Sequence, residues 1–181
     1  MVDQREFRDT LGMFTTGVAV IATLADDEVH AMTASAVSSL SIEPPLVLFC
    51  PARKATLARS LDRVKAFSIN FLREEQQALS SYFAGAWNAA PVPPFRFVHA
   101  EVAPRLEGAL ASLGCRIEQI HDGGDHFIVV GRVLTLHRGI SPHRPLLFFG
   151  GKYRSIGSDP GQPAPDLASV KDEPPHVFYT E

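Results

Sequence analysis

A chain of 181 residues fits one domain with a single core, and 17 Lys and Arg against 20 Asp and Glu leave a net charge of −3. The cations are scattered, which excludes the basic footprint of a phosphate-backbone binder, and no apolar run reaches the ~20 residues that span a bilayer. The opening Met1-Val2-Asp3-Gln4-Arg5-Glu6 does not read as a secretory leader, so a cytoplasmic protein is expected.

Residues 3–14 carry Phe7, Leu11 and Phe14 at helical spacing with charges between them, which predicts an amphipathic opening helix ended by Thr15-Thr16-Gly17. Val18-Ala19-Val20-Ile21-Ala22-Thr23 is β-branched and apolar. The Ala25-Asp26-Asp27-Glu28 cluster after it predicts a hairpin into a second strand from Val29. Leu46 to Cys50 reads as a third strand behind the break at Pro44-Pro45. Leu57, Leu61 and Val64 predict a helix, Ala66 to Leu72 a strand, and Glu74 to Ala84 a second helix with Leu79 and Phe83 in register.

From Gly85 to Phe97 the chain is rich in Pro and Ala, holds the single Trp87, and has no period, so it reads as a long loop. Two long strands are expected within Leu110–His121 and from Phe127 to His137, joined by Asp122-Gly123-Gly124-Asp125. Leu146 to Phe149 forms a last apolar run closed by Gly150-Gly151. From Ser158 the composition turns to Pro, Gly, Asp and Ser, which suggests a disordered tail, while Val177-Phe178-Tyr179 suggests docking. Six or seven strands with few short helices argue for a barrel or sandwich.

Cys50 and Cys115 lie in separate apolar runs without CxxC spacing. They read as buried thiols, with a disulfide left open. GxGxxG, the P-loop, GxSxG and HExxH are all absent, and no His and carboxylate set has metal-ligand spacing.

Four segments remain that can carry chemistry. Met32 to Ser41 is dense in small hydroxyl residues, which lets a flat ligand approach the backbone and find donors; the same residues also read as a polar edge strand. Arg53-Lys54-Ala55-Thr56 opens a predicted helix, and cations at a helix N-terminus are unfavourable unless an anion such as a phosphate lies between them. Gly124-Asp125-His126 presents an imidazole at a tight turn, where Asp125 can also act only as a turn cap. Gly150-Gly151-Lys152-Tyr153 sets an aromatic ring beside a cation, suited to a nucleotide and equally ordinary at a surface.

Taken in order, these segments resemble the flavin reductase family, the small reductase components of two-component flavin monooxygenases. The resemblance runs from Phe7 to about Ile156. It rests on Phe14-Thr15-Thr16-Gly17-Val18, Met32-Thr33-Ala34-Ser35 through Ser41 to Pro44-Pro45, Phe67-Ser68-Ile69-Asn70 and Phe83-Ala84-Gly85. Gly124-Asp125-His126 and Pro145-Leu146-Leu147-Phe148-Phe149 with Gly151-Lys152-Tyr153 complete it.

It implies a mainly β fold, an FMN-binding split β-barrel of Greek-key type with a few peripheral helices over residues 1–157, and a Pro-rich extension over 158–181. By the same resemblance Thr33, Ala34, Ser35, Ser38 and Ser39 line the flavin ring and ribityl chain. Arg53, Lys54, Ala55 and Thr56 hold its phosphate, and Phe83 and Ala84 lie at the flavin edge or along an adenine half. His126, the candidate catalytic residue, meets the nicotinamide nucleotide together with Lys152 and Tyr153.

The implied activity is hydride transfer from NADH or NADPH to FMN or FAD, in a homodimer that hands reduced flavin to an oxygenase component. The protein's task there is positioning, since the cofactors carry the chemistry. A flavin-binding carrier that uses no nicotinamide is the alternative. Two departures mark this chain: the family pattern often has Asn where Ser35 stands, and the segment after Gly157 is outside the shared pattern.

Overall fold

A computed structural model describes residues 2–139 and 144–157. The Pro-rich extension over 158–181, with Val177-Phe178-Tyr179, lies outside the described residues.

The chain opens with α1 (Gln4–Leu11), whose Asp3 cap accepts hydrogen bonds from the Arg5 and Glu6 N–H groups. The helix is shorter than the expected 3–14: Gly12 caps it, and Phe14 lies beyond its end. None of its residues is buried. Phe7, Leu11, Met13 and Phe14 are all more than half exposed.

After the short β1 (Thr16–Gly17) come β2 (Ala19–Ala25) and β3 (Glu28–Ala34), the expected hairpin. Asp26 and Asp27 form its two-residue turn with φ of 51° and 62°, the left-handed pair that a type I′ hairpin needs and that Asp tolerates. Only Ser35 and Ala36 separate β3 from β4 (Val37–Ser41), which pairs with β5 (Leu46–Phe49).

The helix expected around Leu57 is a single 3-10 turn, Leu57–Ser60. Leu57, Ala58 and Leu61 are buried by it, and a separate turn, closed by the Arg63 and Val64 N–H groups on the Ser60 carbonyl, leads to β6 (Ala66–Phe71). Glu74–Gln76 is likewise a 3-10 turn leading into α2 (Gln77–Phe83). The segment after Gly85 is loop, as expected, until β7 (Phe97–Val98) pairs with β8 (Arg105–Leu106).

Two long strands come next, β9 (Ala111–Gly123) and β10 (His126–Arg138), and His126 is the first residue of β10 rather than part of the turn. At the end, β11 (Leu147–Phe149) turns through Gly150 and Gly151, at φ of 58° and 73°, into β12 (Lys152–Arg154). The sequence pattern predicts no strand at β12: the run is short and polar, and only its pairing with β11 defines it.

Seven strands form one sheet in the order β3-β2-β6-β9-β10-β5-β4. Its two edge strands are consecutive in the chain, and a two-residue link spans at most about 11 Å between Ala34 and Val37. The sheet must therefore curl until its edges meet at that corner, a barrel left open along the unpaired seam.

The apolar run of β2 is buried on both faces. Ala19 and Ile21 join Phe49, Phe67, Ile69, Cys115 and Val129 inside, where the Phe49 and Phe67 rings lie 4.8 Å apart. Val18 and Val20 face outward onto Leu72, Leu79, Leu106 and Leu146. This second layer, on which α2, β11 and β12 pack, explains why β2 is a continuous apolar run rather than an alternating one. Both cysteines are unpaired thiols, and burial pushes Cys115 up to about 12.

Candidate functional site

The open seam is where most of the predicted site residues gather. Ala34 is buried in the barrel core, whereas Ser35, Ala36, Ser38 and Ser39 are exposed at the corner. Since β3 pairs only with β2 and β4 only with β5, each offers the seam an unpaired edge of backbone groups beside small side chains. The corner itself is fixed by Val37 N–H donating to the Ser35 carbonyl and Cys50 N–H donating to that of Ala36. Ser38 is not wholly free: its hydroxyl donates to the Ser39 carbonyl at 3.0 Å.

The segment Arg53-Lys54-Ala55-Thr56 leaves β5 beside this corner. The Cys50 bond to Ala36 and a β-bridge between Ala52 and His126 join corner, segment and β9–β10 hairpin tip. Ala55 packs against the core, and Lys54 and Thr56 are exposed. Arg53 is held by the hairpin: it pairs with Asp122, its Nε donates to the Gly124 carbonyl at 2.8 Å, and its guanidinium sits 4.2 Å from the Phe127 ring centroid. Its backbone N–H donates to the Asp125 carbonyl.

Beyond Thr56 the chain makes only a 3-10 turn without a side-chain cap. The expected helix dipole is therefore missing, and the donors for an anion are the Lys54 ammonium, the Thr56 hydroxyl and local N–H groups.

His126 is half-buried at the start of β10, with Nδ1 2.8 Å from Asp125 Oδ1. That hydrogen bond, helped by the imidazole's charge, holds the Asp125 carboxyl below its ordinary value. With Nδ1 engaged, Nε2 is the ring nitrogen left for a ligand.

A second group lies on the other side of β3. The Thr33 hydroxyl donates to the Ser80 carbonyl at 2.7 Å, and Ser80 Oγ lies 2.9 Å from the Tyr153 hydroxyl. Thr33 is thus turned toward α2 rather than the seam. Phe83 belongs to an aromatic cluster with Tyr82, Phe95 and Phe97, and Ala84 is exposed at the end of α2. Lys152 is exposed on β12, next to the half-buried Tyr153. His126 starts β10 of the seven-stranded sheet and Tyr153 lies on β12 of the three-stranded one, so the two expected nucleotide contacts stand on separate sheets.

Sequence reasoning missed Ser80 and the holding role of the hairpin on Arg53. The first had no local signal. The second had one, an aromatic residue and two acids around the Gly123-Gly124 turn.

The chemistry of this donor set suits a flat ligand rich in carbonyl and phosphate oxygens: small side chains at an open seam, serine hydroxyls, a lysine, and an imidazole at one end. Among the described residues no group of His, Cys, Asp and Glu could hold a metal ion. The class these features define is an open, split-barrel-like β fold with a corner suited to a planar, oxygen-rich ligand.

Residues 11–157 match the family described as the flavin reductase like domain, and the chain belongs to that family. It is 38% identical over 173 residues to the reductase subunit of a flavin-dependent monooxygenase from Rhodococcus jostii, covering 91% of this chain and 84% of that one. Among solved structures, a flavin reductase in its native state superposes with a TM-score of 0.80 at 35% identity, over 87% of this chain and 100% of the other. The NADH:FAD oxidoreductase of Streptomyces globisporus, solved with NAD and FAD fragments, superposes with a TM-score of 0.77 at 31% identity, over 88% and 98%.

Proposed function

We propose that this protein is an NADH- or NADPH-dependent flavin reductase that supplies reduced FMN or FAD to a partner oxygenase. The observation that carries the reading is the convergence of Ser35 to Ser39, Lys54 to Thr56 and His126 at one open seam of the barrel. The relatives named as a monooxygenase reductase subunit and as an NADH:FAD oxidoreductase support the oxygenase partner and NADH as donor.

Bound flavin supplies the hydride-accepting chemistry. Ser35, Ala36, Ser38 and Ser39 take its ring and ribityl chain, with backbone N–H groups and hydroxyls supplying donors. Lys54 and Thr56 hold its phosphate, while Arg53 keeps the hairpin in place beside them. Phe83 and Ala84 mark the flavin edge or adenine half. His126 donates to or accepts from the nucleotide and fixes its approach, and Tyr153 with Lys152 meets it from β12.

A homodimer belongs to the same reading. Phe7 and Leu11 on α1, with Met13 and Phe14 just beyond it, expose an apolar surface that a second copy covers, and light scattering then gives twice the 19.7 kDa chain mass. The unpaired Cys50 and Cys115 fit a reducing, cytoplasmic setting. Oxidation of NADH or NADPH by purified protein, measured with each flavin in turn, tests the activity and separates it from a carrier that binds flavin alone.

A further inference from the structure

We propose that Ser80 is a positioning residue that sets the Tyr153 ring for the nicotinamide nucleotide. The inference rests on the reading that Tyr153 meets that nucleotide. Ser80 is 0% exposed, and its Oγ shares a hydrogen bond of 2.9 Å with Tyr153 Oη. Breaking the bond strands a buried hydroxyl, which makes the pairing hard to give up.

Tyr153 is half-buried against the outer apolar layer, which seats the ring but offers its hydroxyl no partner. It sits in the middle of β12, three residues long, which pairs only with β11, also three residues long. Backbone pairing of that extent leaves the ring's direction to side-chain contacts. These are the outer apolar layer, the Phe148 ring, edge-on with centroids 5.4 Å apart, and the hydroxyl bond to Ser80, with Ser81 Oγ further off at 3.5 Å; of them only the bond to Ser80 fixes where the hydroxyl points at close range.

Ser80 also accepts the Thr33 hydroxyl, through its backbone carbonyl at 2.7 Å. One residue of α2 thereby ties β3, which leads into the flavin corner, to β12, which carries the nucleotide contact. The two ties use different groups: the side chain holds Tyr153 and the main chain holds Thr33. Ser80→Ala removes the first and keeps the second.

The test compares Ser80→Ala, Tyr153→Phe and the double variant with wild type by steady-state NADH oxidation, flavin affinity by fluorescence, and Tm. Each single change is expected to lower kcat/KM for NADH about three- to tenfold, the range of one hydrogen bond, with flavin affinity unchanged. The double variant falls no further than the weaker single, because both remove the same bond. Additive losses overturn the proposal, as does a lower Tm with unaltered nucleotide kinetics per folded molecule. Should Ser80→Ala not fold, Tyr153→Phe decides: unchanged kinetics for NADH overturn it. An active wild type indistinguishable from Ser80→Ala defeats this inference alone. A wild type that oxidises no nicotinamide nucleotide defeats the proposed function and this inference with it.

Discussion

The guanidinium of Arg53 lies 4.2 Å from the centroid of the Phe127 ring, and this contact fastens the exit of β5 to the β9–β10 hairpin. With its Nε on the Gly124 carbonyl and its N–H on that of Asp125, Arg53 fixes the tip that carries His126. The predicted consequence is selective. Arg53→Ala lowers kcat/KM for the nucleotide by about three- to tenfold, as loss of a partly exposed cation-π contact, the Nε hydrogen bond and the exposed pairing with Asp122 implies, and leaves flavin affinity within about twofold. A large loss of FMN binding with intact nucleotide kinetics makes Arg53 a phosphate ligand instead.

His126→Ala is expected to change flavin affinity little and to lower kcat/KM for the nucleotide by ~10-fold or more, equivalent to ~1.4 kcal/mol of transition-state stabilisation. The measurement is steady-state kinetics at saturating flavin beside a flavin titration. Loss of thermal stability or of flavin binding, with wild-type nucleotide kinetics per folded molecule, reduces His126 to a structural role.

Much of the fold is legible in the sequence where a short stretch decides it. Asp26 and Asp27 mark the first hairpin turn, and Gly124 the last long one, because positive φ restricts which residues can stand there. Val18 to Thr23 reads as a strand, although only the structure separates the inward Ile21 from the outward Val20.

The site is legible as segments and not as connections. Ser80 and Tyr153 are 73 positions apart, and a serine inside an amphipathic helix carries no signal of a partner so distant. The helix expected at Leu57 is absent for a related reason. Its apolar spacing is real, and Leu57 and Leu61 are buried, but the segment winds as a 3-10 turn and a second turn closed on the Ser60 carbonyl rather than as one continuous helix.

The Glu118 carboxyl on β9 titrates at about 2, held there by hydrogen bonds from Arg132 and then Arg116. A folded value below the unfolded one means that the pairing stabilises the fold above the ordinary carboxylate pKa and is lost as pH falls toward about 2. Carbon-detected NMR titration checks this. In Arg132→Leu the midpoint moves up toward the ordinary carboxylate value; an unchanged midpoint contradicts the assignment.

Gly131 lies in β10 against the core, where a Cβ meets Phe67 Cζ at 2.4 Å and Cys115 Cβ at 3.2 Å. Phe67 is fully buried and has no free space to retreat into. Gly131→Ala is therefore predicted to destabilise the fold by about 2 kcal/mol or more, read as a lower midpoint in urea at an unchanged slope. A stability equal to wild type means that the barrel yields there more readily than its packing indicates.

The role proposed for the open seam between β3 and β4 is nicotinamide-dependent reduction of flavin. Its most direct test is the loss of NADH absorbance when purified protein is mixed with NADH and either FMN or FAD in air. Rapid, flavin-dependent oxidation that slows markedly in His126→Ala is expected. No oxidation above the protein-free rate, with either flavin and with NADH or NADPH, contradicts it.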